Sequence, residues 1–175
     1  MQFTHPSIKI ATQTHIPALE TLLNSAYRGE ISRLGWTTEA HLISGDVRTN
    51  KQVIEETMLT PGSVFLVYIA EDETISGCVN LQKHESRLYL GMFSVSPKLQ
   101  GLGIGKQILT AAEEYAIFIG CDSIYMSVIS VREELIQWYI RHGYRDTGER
   151  KAFEEDGIHG KHLQVLEFMI LEKYL

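Results

Sequence analysis

The pattern of apolar and polar positions predicts a strand and several helices in the first third of the chain. Segment 8–11 has the composition of a short strand, and Thr14 stands where it can cap a following helix. Pro17 fits the first turn of that helix, and the apolar residues behind it recur at helical spacing. Segments 37–43 and 51–60 are predicted to be two further helices, the first of them capped by a threonine.

The middle of the chain changes from helical spacing to runs of β-branched and aromatic residues, which favour strands. The runs 63–72 and 74–83 flank the acidic turn Glu71–Glu73, and this arrangement predicts a β-hairpin. A third strand is predicted over 87–95, and Pro97 ends it.

Behind this strand the pattern alternates between helix and strand. Apolar residues form one stripe over 104–119 and predict a helix; 123–129 then reads as a strand and 132–143 as a helix closed by glycine. The last predicted strand covers 162–174. The order is roughly β-α-α-β-β-β-α-β-α-β-β, which favours a mixed sheet over a doubly wound parallel one.

The composition is that of a globular domain, and we expect residues 1–175 to form a single one because no repeat or linker-like tract divides them. The charged residues, 16 basic and 22 acidic, leave a net charge of −6. That balance argues against a nucleic-acid partner and mildly favours a cationic substrate. The apolar run 64–70 is too short to cross a membrane, and the first residues do not resemble a signal peptide. With Cys78 and Cys121 far apart, a reduced cytoplasmic protein is expected.

A glycine-rich segment, QGLGIGK (100–106), precedes the helix predicted over 104–119. Glycines before a helix let phosphate oxygens approach the unpaired amides of its first turn. A dinucleotide-binding fingerprint would need a third glycine where Lys106 or Ile108 stands. A P-loop would need a hydroxyl residue in place of Gln107. The segment matches neither nucleotide-binding pattern. The alternative to a phosphate site is a turn that only packs the helix against its strand.

The remaining pattern, Q-x-x-G-x-G between a strand and an amphipathic helix, resembles motif A of the GCN5-related N-acetyltransferases (GNAT). Proteins of this family bind acetyl-coenzyme A, and the resemblance implies that the glycine segment holds its pyrophosphate. The backbone of the preceding strand would bind the pantetheine amides as an added strand would. The residues implied in coenzyme binding are Phe93, Ser94, Val95, Gln100, Gly101, Leu102, Gly103, Ile104, Gly105 and Lys106.

A second motif, VREELIQWYIRHGY (131–144), places a tyrosine four residues before a Gly-aromatic pair, as the same family does. The resemblance implies that Tyr139 is the general acid that protonates the departing coenzyme A thiolate. A phenol with a reference pKa of about 10 is protonated at neutral pH and can serve in this way. A core tyrosine is the alternative, because Tyr139 shares a helix stripe with Leu135 and His142. Arg132 stands where the family often has asparagine.

The resemblance also implies the fold. It is an α/β fold of the GNAT type, with a mostly antiparallel mixed sheet of about six to seven strands flanked by about four helices. Its two neighbouring parallel strands, here 87–95 and 123–129, would splay apart so that pantetheine enters the gap. The resemblance is most specific over about 64–145.

The implied reaction is transfer of an acetyl group from acetyl-CoA to a primary amine of a small molecule or peptide by direct attack. The Val95 amide could polarise the thioester carbonyl. A rival route through an acetyl-cysteine is disfavoured, because Cys78 and Cys121 lie in apolar surroundings without a neighbouring histidine. A non-catalytic acyl-CoA sensor and an acyltransferase with another acyl-CoA are the alternative functions, and a homodimer is compatible with all three.

The acceptor side is less defined by the sequence. Trp36, Thr37 and Glu39 are the predicted acceptor contacts, on a segment that forms a wall of the acceptor site in similar proteins. No residue is assigned as the general base. The candidates considered for it are Glu30, Glu39, His84 and Glu85. No metal is expected, since the H-x-x-H pair in HGKH (159–162) has no helical setting and no third ligand.

Overall fold

The computed structural model describes residues 1–155 and 160–175. The strands are β1 (Ile8–Ile10), β2 (Ile43–Ser44), β3 (Ser63–Ile69), β4 (Ile75–His84), β5 (Arg87–Val95), β6 (Ser123–Ile129), β7 (Arg145–Ala152), β8 (Lys161–His162) and β9 (Glu167–Tyr174). The helices are α1 (Ile16–Tyr27), α2 (Gly29–Ser32), α3 (Lys51–Leu59), α4 (Ile104–Phe118) and α5 (Glu133–Arg141). None of these described helices is both long and apolar enough to cross a bilayer.

Seven strands form one sheet in the order β1-β3-β4-β5-β6-β9-β7, while β2 pairs only with β8. Every neighbouring pair in the sheet is antiparallel except β5 and β6. This arrangement confirms the predicted mixed, mostly antiparallel α/β fold. The parallel pairing is short, because only Arg87–Tyr89 lies in register with Ser123–Tyr125. Beyond these residues the two strands separate, as the resemblance implies.

Helices cover both faces of the sheet, and alternation along β3 explains how. Phe65 and Val67 point to the face covered by α1 and α3, whereas Leu66 points to the face covered by α4. The central strands are therefore apolar on both sides. The antiparallel pairing of β5 with β4 sets its direction and places the glycine segment that follows at the end of the strand.

The helix predicted over 37–43 is wrong. The segment forms turns that lead into β2, and the amides of Leu42 and Ile43 both donate to the Glu39 carbonyl, at 2.8 and 2.9 Å. The Thr38 hydroxyl accepts from the Ala40 amide at 3.2 Å instead of capping a helix. Such local side-chain bonds compete with helix formation. The buried ion pairs of the Glu39 side chain hold the segment in this form.

The predicted cap of the first helix is also wrong. Thr12, not Thr14, forms a reciprocal capping box with His15 around a single 3₁₀ turn, and α1 starts after that turn at Ile16. Thr14 only bonds the Thr12 hydroxyl, at 2.8 Å. Pro17 lies in the first turn as predicted, because the missing amide hydrogen is not needed there.

The C-terminal region differs from its pattern in one respect. The strand predicted over 162–174 is divided into β8 and β9. β7 lies at the edge of the sheet and is exposed along its whole length, so its charged sequence shows no apolar alternation. Charged side chains at an edge strand discourage pairing with another chain. The other predicted strands and helices, including the β3–β4 hairpin, lie where the pattern places them.

Candidate active site

The first turn of α4 is built to receive an anion. Gly103 caps the helix with a φ of 84°, and Gly101 has a φ of 86°. A Cβ on either glycine would meet no atom within 4 Å, so the backbone conformation, not crowding, requires glycine here. The Gln107 amide makes the first helical bond, to the Gly103 carbonyl at 3.1 Å. The amides before it, in 104–106, have no acceptor inside the helix and are available to an anion such as a pyrophosphate.

This end of α4 opens into a cavity of about 780 Å³ between α5, the end of β5 and the segment that contains Trp36. Nine of the ten predicted coenzyme-binding residues line it, and Leu102 is the exception because its side chain points to solvent. The predicted acceptor contacts Trp36 and Thr37 also line this larger cavity, so they lie with the predicted coenzyme-binding residues. Tyr139 closes its inner end.

β5 carries a bulge where it reaches this cavity. Met92 has a φ of 47°, and the register between β4 and β5 shifts there. The Tyr27 hydroxyl donates to the Phe93 carbonyl and occupies that acceptor. Ser96 bonds across the ladder to Ser76 at 2.9 Å, so by the alternation of an antiparallel pair the Val95 amide turns away from β4. It faces the gap that an extended ligand would enter.

The Gln100 side chain connects parts of the protein and does not point freely into the cavity. Its Oε1 accepts from the Trp36 amide at 2.9 Å, and its Nε2 donates to the Thr37 hydroxyl at 2.7 Å. A longer bond of 3.2 Å joins Nε2 to the Val95 carbonyl. Gly35 leaves room for this side chain, because a Cβ there would lie 2.6 Å from Oε1. Gln100 therefore fixes the wall of the cavity to the end of β5.

A second cavity of about 290 Å³ lies between the separated parts of β5 and β6. It shares four lining residues with the larger one, so the two cavities are adjacent. The shared residues are Tyr27, Phe93, Leu135 and Tyr139. A donor in the larger cavity and an acceptor in the smaller one would thus meet beside Tyr139.

Tyr139 is 5% exposed and belongs to the apolar cluster around α4, so it lines the site and packs in the core at the same time. Aromatic rings surround it, with centroids 5.1 Å away at Trp138, 5.7 Å at Tyr144 and 6.3 Å at Phe93. Burial, with the nearby Tyr27 and Tyr144, raises its pKa well above 10. The hydroxyl is therefore protonated throughout the neutral range, so it can give up a proton but cannot act as a base.

Glu39 lies at the centre of a buried charge cluster on the wall of the smaller cavity. Its Oε2 accepts from Arg28 at 2.5 Å and from Arg48 at 3.2 Å, and its Oε1 accepts from Arg132 at 3.0 Å. Burial alone would raise the pKa of this carboxyl, but the three guanidinium groups hold the pKa below its ordinary value. Glu39 is thus a permanently ionised partner for arginines and is unsuited to accept a proton from a substrate.

Two arginines of this cluster do more than neutralise Glu39. Arg132 also donates to the Thr37 carbonyl at 2.6 Å, so the arginine in the place of the family's asparagine ties α5 to the 37–39 segment. Arg48 lies over the Tyr27 ring, 3.6 Å from its centroid. The sequence analysis did not single out Arg28, Arg48 or Tyr27, because their partners are far away along the chain.

The other base candidates lie away from both cavities. The Glu30 side chain is 92% exposed and pairs with Arg33. The His84 ring bonds the Tyr125 hydroxyl at 2.6 Å, and Glu85 lies in the turn after β4. None of these three residues lines either cavity, so they gain no support as bases.

The two cysteines are free and buried. Burial raises the pKa of the Cys78 thiol to about 12, so almost none of it is a thiolate at neutral pH. Burial also raises the pKa of Cys121. These values argue against the acetyl-cysteine route.

Of the H-x-x-H pair, His162 packs against the Phe153 ring, with 4.5 Å between centroids, while His159 lies outside the described residues. Over the ranges 1–155 and 160–175, no group of three His, Cys, Asp or Glu side chains is arranged to hold a metal ion.

Comparison with known proteins places the chain among acetyltransferases. The model of the acetyltransferase (GNAT) family matches residues 18–144. Among curated proteins, none matches the sequence.

Solved structures resemble the whole chain. A GNAT-family acetyltransferase from Staphylococcus aureus Mu50 is 20% identical, with a TM-score of 0.68 over 96% of this chain and 98% of its own. The ribosomal-protein-alanine N-acetyltransferase of Brucella melitensis is 19% identical, with a TM-score of 0.70 over 96% and 99%. The PaiA N-acetyltransferase of Thermoplasma acidophilum in complex with coenzyme A is 18% identical, with a TM-score of 0.66 over 97% and 99%. At these identities the likeness concerns the fold.

Proposed function

Because this chain belongs to the GNAT family of acetyltransferases, we propose that it transfers an acetyl group from acetyl-CoA to the primary amine of a small molecule or peptide. One observation carries the proposal. The amide-rich start of α4 lies in the same cavity as Tyr139, and Tyr139 also lines a second cavity that an acceptor could occupy. The arrangement thus has one place for a donor, one for an acceptor and a proton donor between them.

The coenzyme would be held by the backbone. The amides of 104–106 would bind its pyrophosphate, and the multiple bonds would contribute more than the helix dipole, which supplies about 0.3–1 kcal/mol per interaction. The Val95 amide would bond the pantetheine arm or the thioester carbonyl, because it faces the gap between β5 and β6. The complex of the similarly folded Thermoplasma protein with coenzyme A supports the choice of coenzyme A as the ligand.

The reaction needs no enzyme nucleophile. The amine nitrogen of the acceptor attacks the thioester carbon, a carbon–nitrogen bond forms, and the carbon–sulfur bond breaks with its electron pair leaving on sulfur. Tyr139 gives its proton to that sulfur, while the nitrogen releases one proton to solvent and solvent restores the phenol. Among the described residues, Glu39 is the only carboxylate that lines the smaller cavity, and it is already paired with arginines. Water is therefore the proposed proton acceptor.

The organisation of the protein is part of the proposal. We propose that residues 1–175 form one catalytic domain, since both cavities draw on elements from α1 to β9. A cytoplasmic location is proposed because both cysteines are free thiols. A nucleic-acid partner is not proposed, given the net charge of −6. Light scattering after size exclusion tests for a homodimer.

The test combines binding with turnover. Calorimetry with acetyl-CoA should show saturable binding, and a thiol-release assay with a panel of amines should show coenzyme A production that depends on both substrates. Binding without release on any amine would contradict the enzyme and favour the acyl-CoA sensor. Faster release with propionyl-CoA or a longer acyl-CoA would favour another acyl donor. Absence of acetyl-CoA binding would refute the assignment of the glycine segment.

A further inference from the structure

The described residues that line the smaller cavity carry more positive than negative charge. Arg28, Arg48 and Arg132 line it together with one carboxylate, that of Glu39. Even when Arg28 is left out of the count, the two positive charges of Arg48 and Arg132 exceed the single negative charge of Glu39. Because burying unbalanced charge is costly, an anion placed in this cavity would be favoured.

Arg48 is the arginine that an incoming molecule can reach. Its side chain is 26% exposed, whereas those of Arg28 and Arg132 are 2% and 7% exposed. Among the described residues, its guanidinium donates only to Glu39, through one of its five N–H groups. The Tyr27 ring holds the plane of the guanidinium in place. A fixed guanidinium with spare donors is suited to bind a carboxylate or a similar oxyanion.

Thr49 gives a second, independent indication. It is 3% exposed and lines the same cavity, and its hydroxyl has no hydrogen-bond partner within the described part of the chain. Burying a hydroxyl without a partner is unfavourable, so such groups usually mark a missing ligand or water. Thr49 follows Arg48 directly in the chain. The hydroxyl oxygen is buried, and a small rotation of the Thr49 side chain would let an oxyanion in the cavity accept its hydrogen bond.

The size and position of the cavity limit the kinds of molecule that can occupy it. At about 290 Å³ it lies at the lower end of the ~300–1,000 Å³ usual for ligand pockets, so it suits a small acceptor. It adjoins the larger cavity at Tyr139, which the amine must reach. A polyamine would have to lose water beside Arg48 and Arg132 without gaining a counter-charge. The local charge thus opposes the cationic acceptor that the overall charge of −6 favours.

We propose that the acceptor is a small primary amine that also carries an oxyanion, a carboxylate or a phosphonate, and that Arg48 and Thr49 bind this oxyanion with support from Arg132. The proposal rests on the proposed acetyl transfer, because it assigns the charge class of the molecule whose amine is acetylated.

The test compares primary amines of different charge, with each amino acid and its methyl ester as the matched pair. The wild-type protein is given acetyl-CoA and the common L-α-amino acids, their methyl esters, 1-aminoethylphosphonate, and the polyamines putrescine and spermidine. A charge-assisted hydrogen bond predicts a kcat/KM about 10- to 100-fold higher for the best oxyanion-bearing amine than for its ester. The phosphonate arm distinguishes the two oxyanions. A preference for esters or polyamines would overturn the proposal while leaving acetyl transfer established.

Substitutions at Arg48 and Thr49 locate the binding. Arg48→Met should bring the ratio of acid to ester close to one, Arg48→Lys should restore part of it, and the exposed Arg145→Met on β7 serves as the matched control. Thr49→Val should lower kcat/KM for the acid about tenfold while raising the thermal midpoint of the free protein, since an unpartnered hydroxyl is removed. A purely structural role for Thr49 predicts a lower midpoint and an unchanged ratio, and that result would overturn its assignment.

A binding measurement separates this inference from the proposed function. Calorimetry with N-acetyl-amino acids in the presence of coenzyme A needs no chemical step. Binding that is lost in Arg48→Met, without acetylation of any amine, would support the oxyanion site and refute the transfer reaction. Acetylation of neutral or cationic amines alone would do the reverse. If no oxyanion binds and none is acetylated, the oxyanion site is refuted.

Discussion

Replacing Glu39 by glutamine tests the buried charge cluster most directly. The substitution keeps the shape of the side chain but leaves the guanidinium groups of Arg28, Arg48 and Arg132 without the carboxylate that accepts from all three. Glu39 is 6% exposed, so water cannot replace it without opening the structure. Removing one partner of a buried ion pair typically costs about 3–5 kcal/mol. Because the amide oxygen can still accept one hydrogen bond, we expect about 3 kcal/mol for Glu39→Gln.

Urea unfolding followed by circular dichroism measures this loss as a lower free energy of unfolding at neutral pH. For a chain of 175 residues, about 3 kcal/mol corresponds to a fall in Tm of about 6–12 °C. The matched control is Glu30→Gln, whose carboxylate is 92% exposed and pairs only at the surface with Arg33. That control should change the free energy of unfolding by less than about 0.5 kcal/mol.

The pH dependence gives a second readout with a defined sign. The pKa of Glu39 is lowered below its ordinary value of 4.5 in the folded protein. Its stabilising contribution is therefore complete above pH 4.5 and is lost as the pH falls through the folded pKa. The difference in the free energy of unfolding between wild type and Glu39→Gln should stay constant between about pH 6 and 8 and become smaller in acid. A loss below about 1 kcal/mol, or a gap that widens in acid, would refute the view that Glu39 holds the cluster together.

Three further predictions concern the catalytic side of the site. Gly103→Asp should weaken acetyl-CoA binding in calorimetry by about 10- to 100-fold relative to the neutral Gly103→Asn. Aspartate and asparagine both tolerate a positive φ, but only aspartate repels phosphate, so equal affinities would contradict the pyrophosphate assignment. Tyr139→Phe should lower kcat about 100-fold with acetyl-CoA affinity nearly unchanged, whereas Tyr144→Phe, outside both cavities, should leave kcat intact. Cys78→Ala should keep kcat within about twofold, because a thiol with a pKa of about 12 is a poor nucleophile; an acetylated Cys78 in mass spectra would refute this.

The coenzyme side could be read from the sequence because its determinants are local. The glycines at 101 and 103 adopt positive φ values within a few residues of the helix they introduce, and backbone amides are the proposed coenzyme ligands. A segment of seven residues therefore carries both the conformation and the chemistry. The same holds for the hairpin of β3 and β4, whose alternation and turn lie next to each other in the chain.

The acceptor side could not be read in the same way, because its parts lie far apart in sequence. Arg48 and Arg132 are 84 residues from each other, yet both reach Glu39. The apparent cap at Thr37 or Thr38 favoured a helix over 37–43, and only the buried contacts of Glu39 explain why the segment turns instead. A local sequence pattern cannot predict the contacts of a side chain whose partners come from three other segments.

The charge of the whole chain and the charge of the cavity point to opposite classes of acceptor. The net charge of −6 comes from exposed groups such as the acidic turn Glu71–Glu73, whose fields are screened by salt within about 10 Å. The groups that line the smaller cavity are buried, so their fields are screened much less and act over the few ångströms that separate them from a substrate. Specificity should therefore follow Arg48 and Arg132. Overall acidity would affect only how charged molecules approach the surface, and raising the salt concentration should alter that approach more than the preference between an acid and its ester.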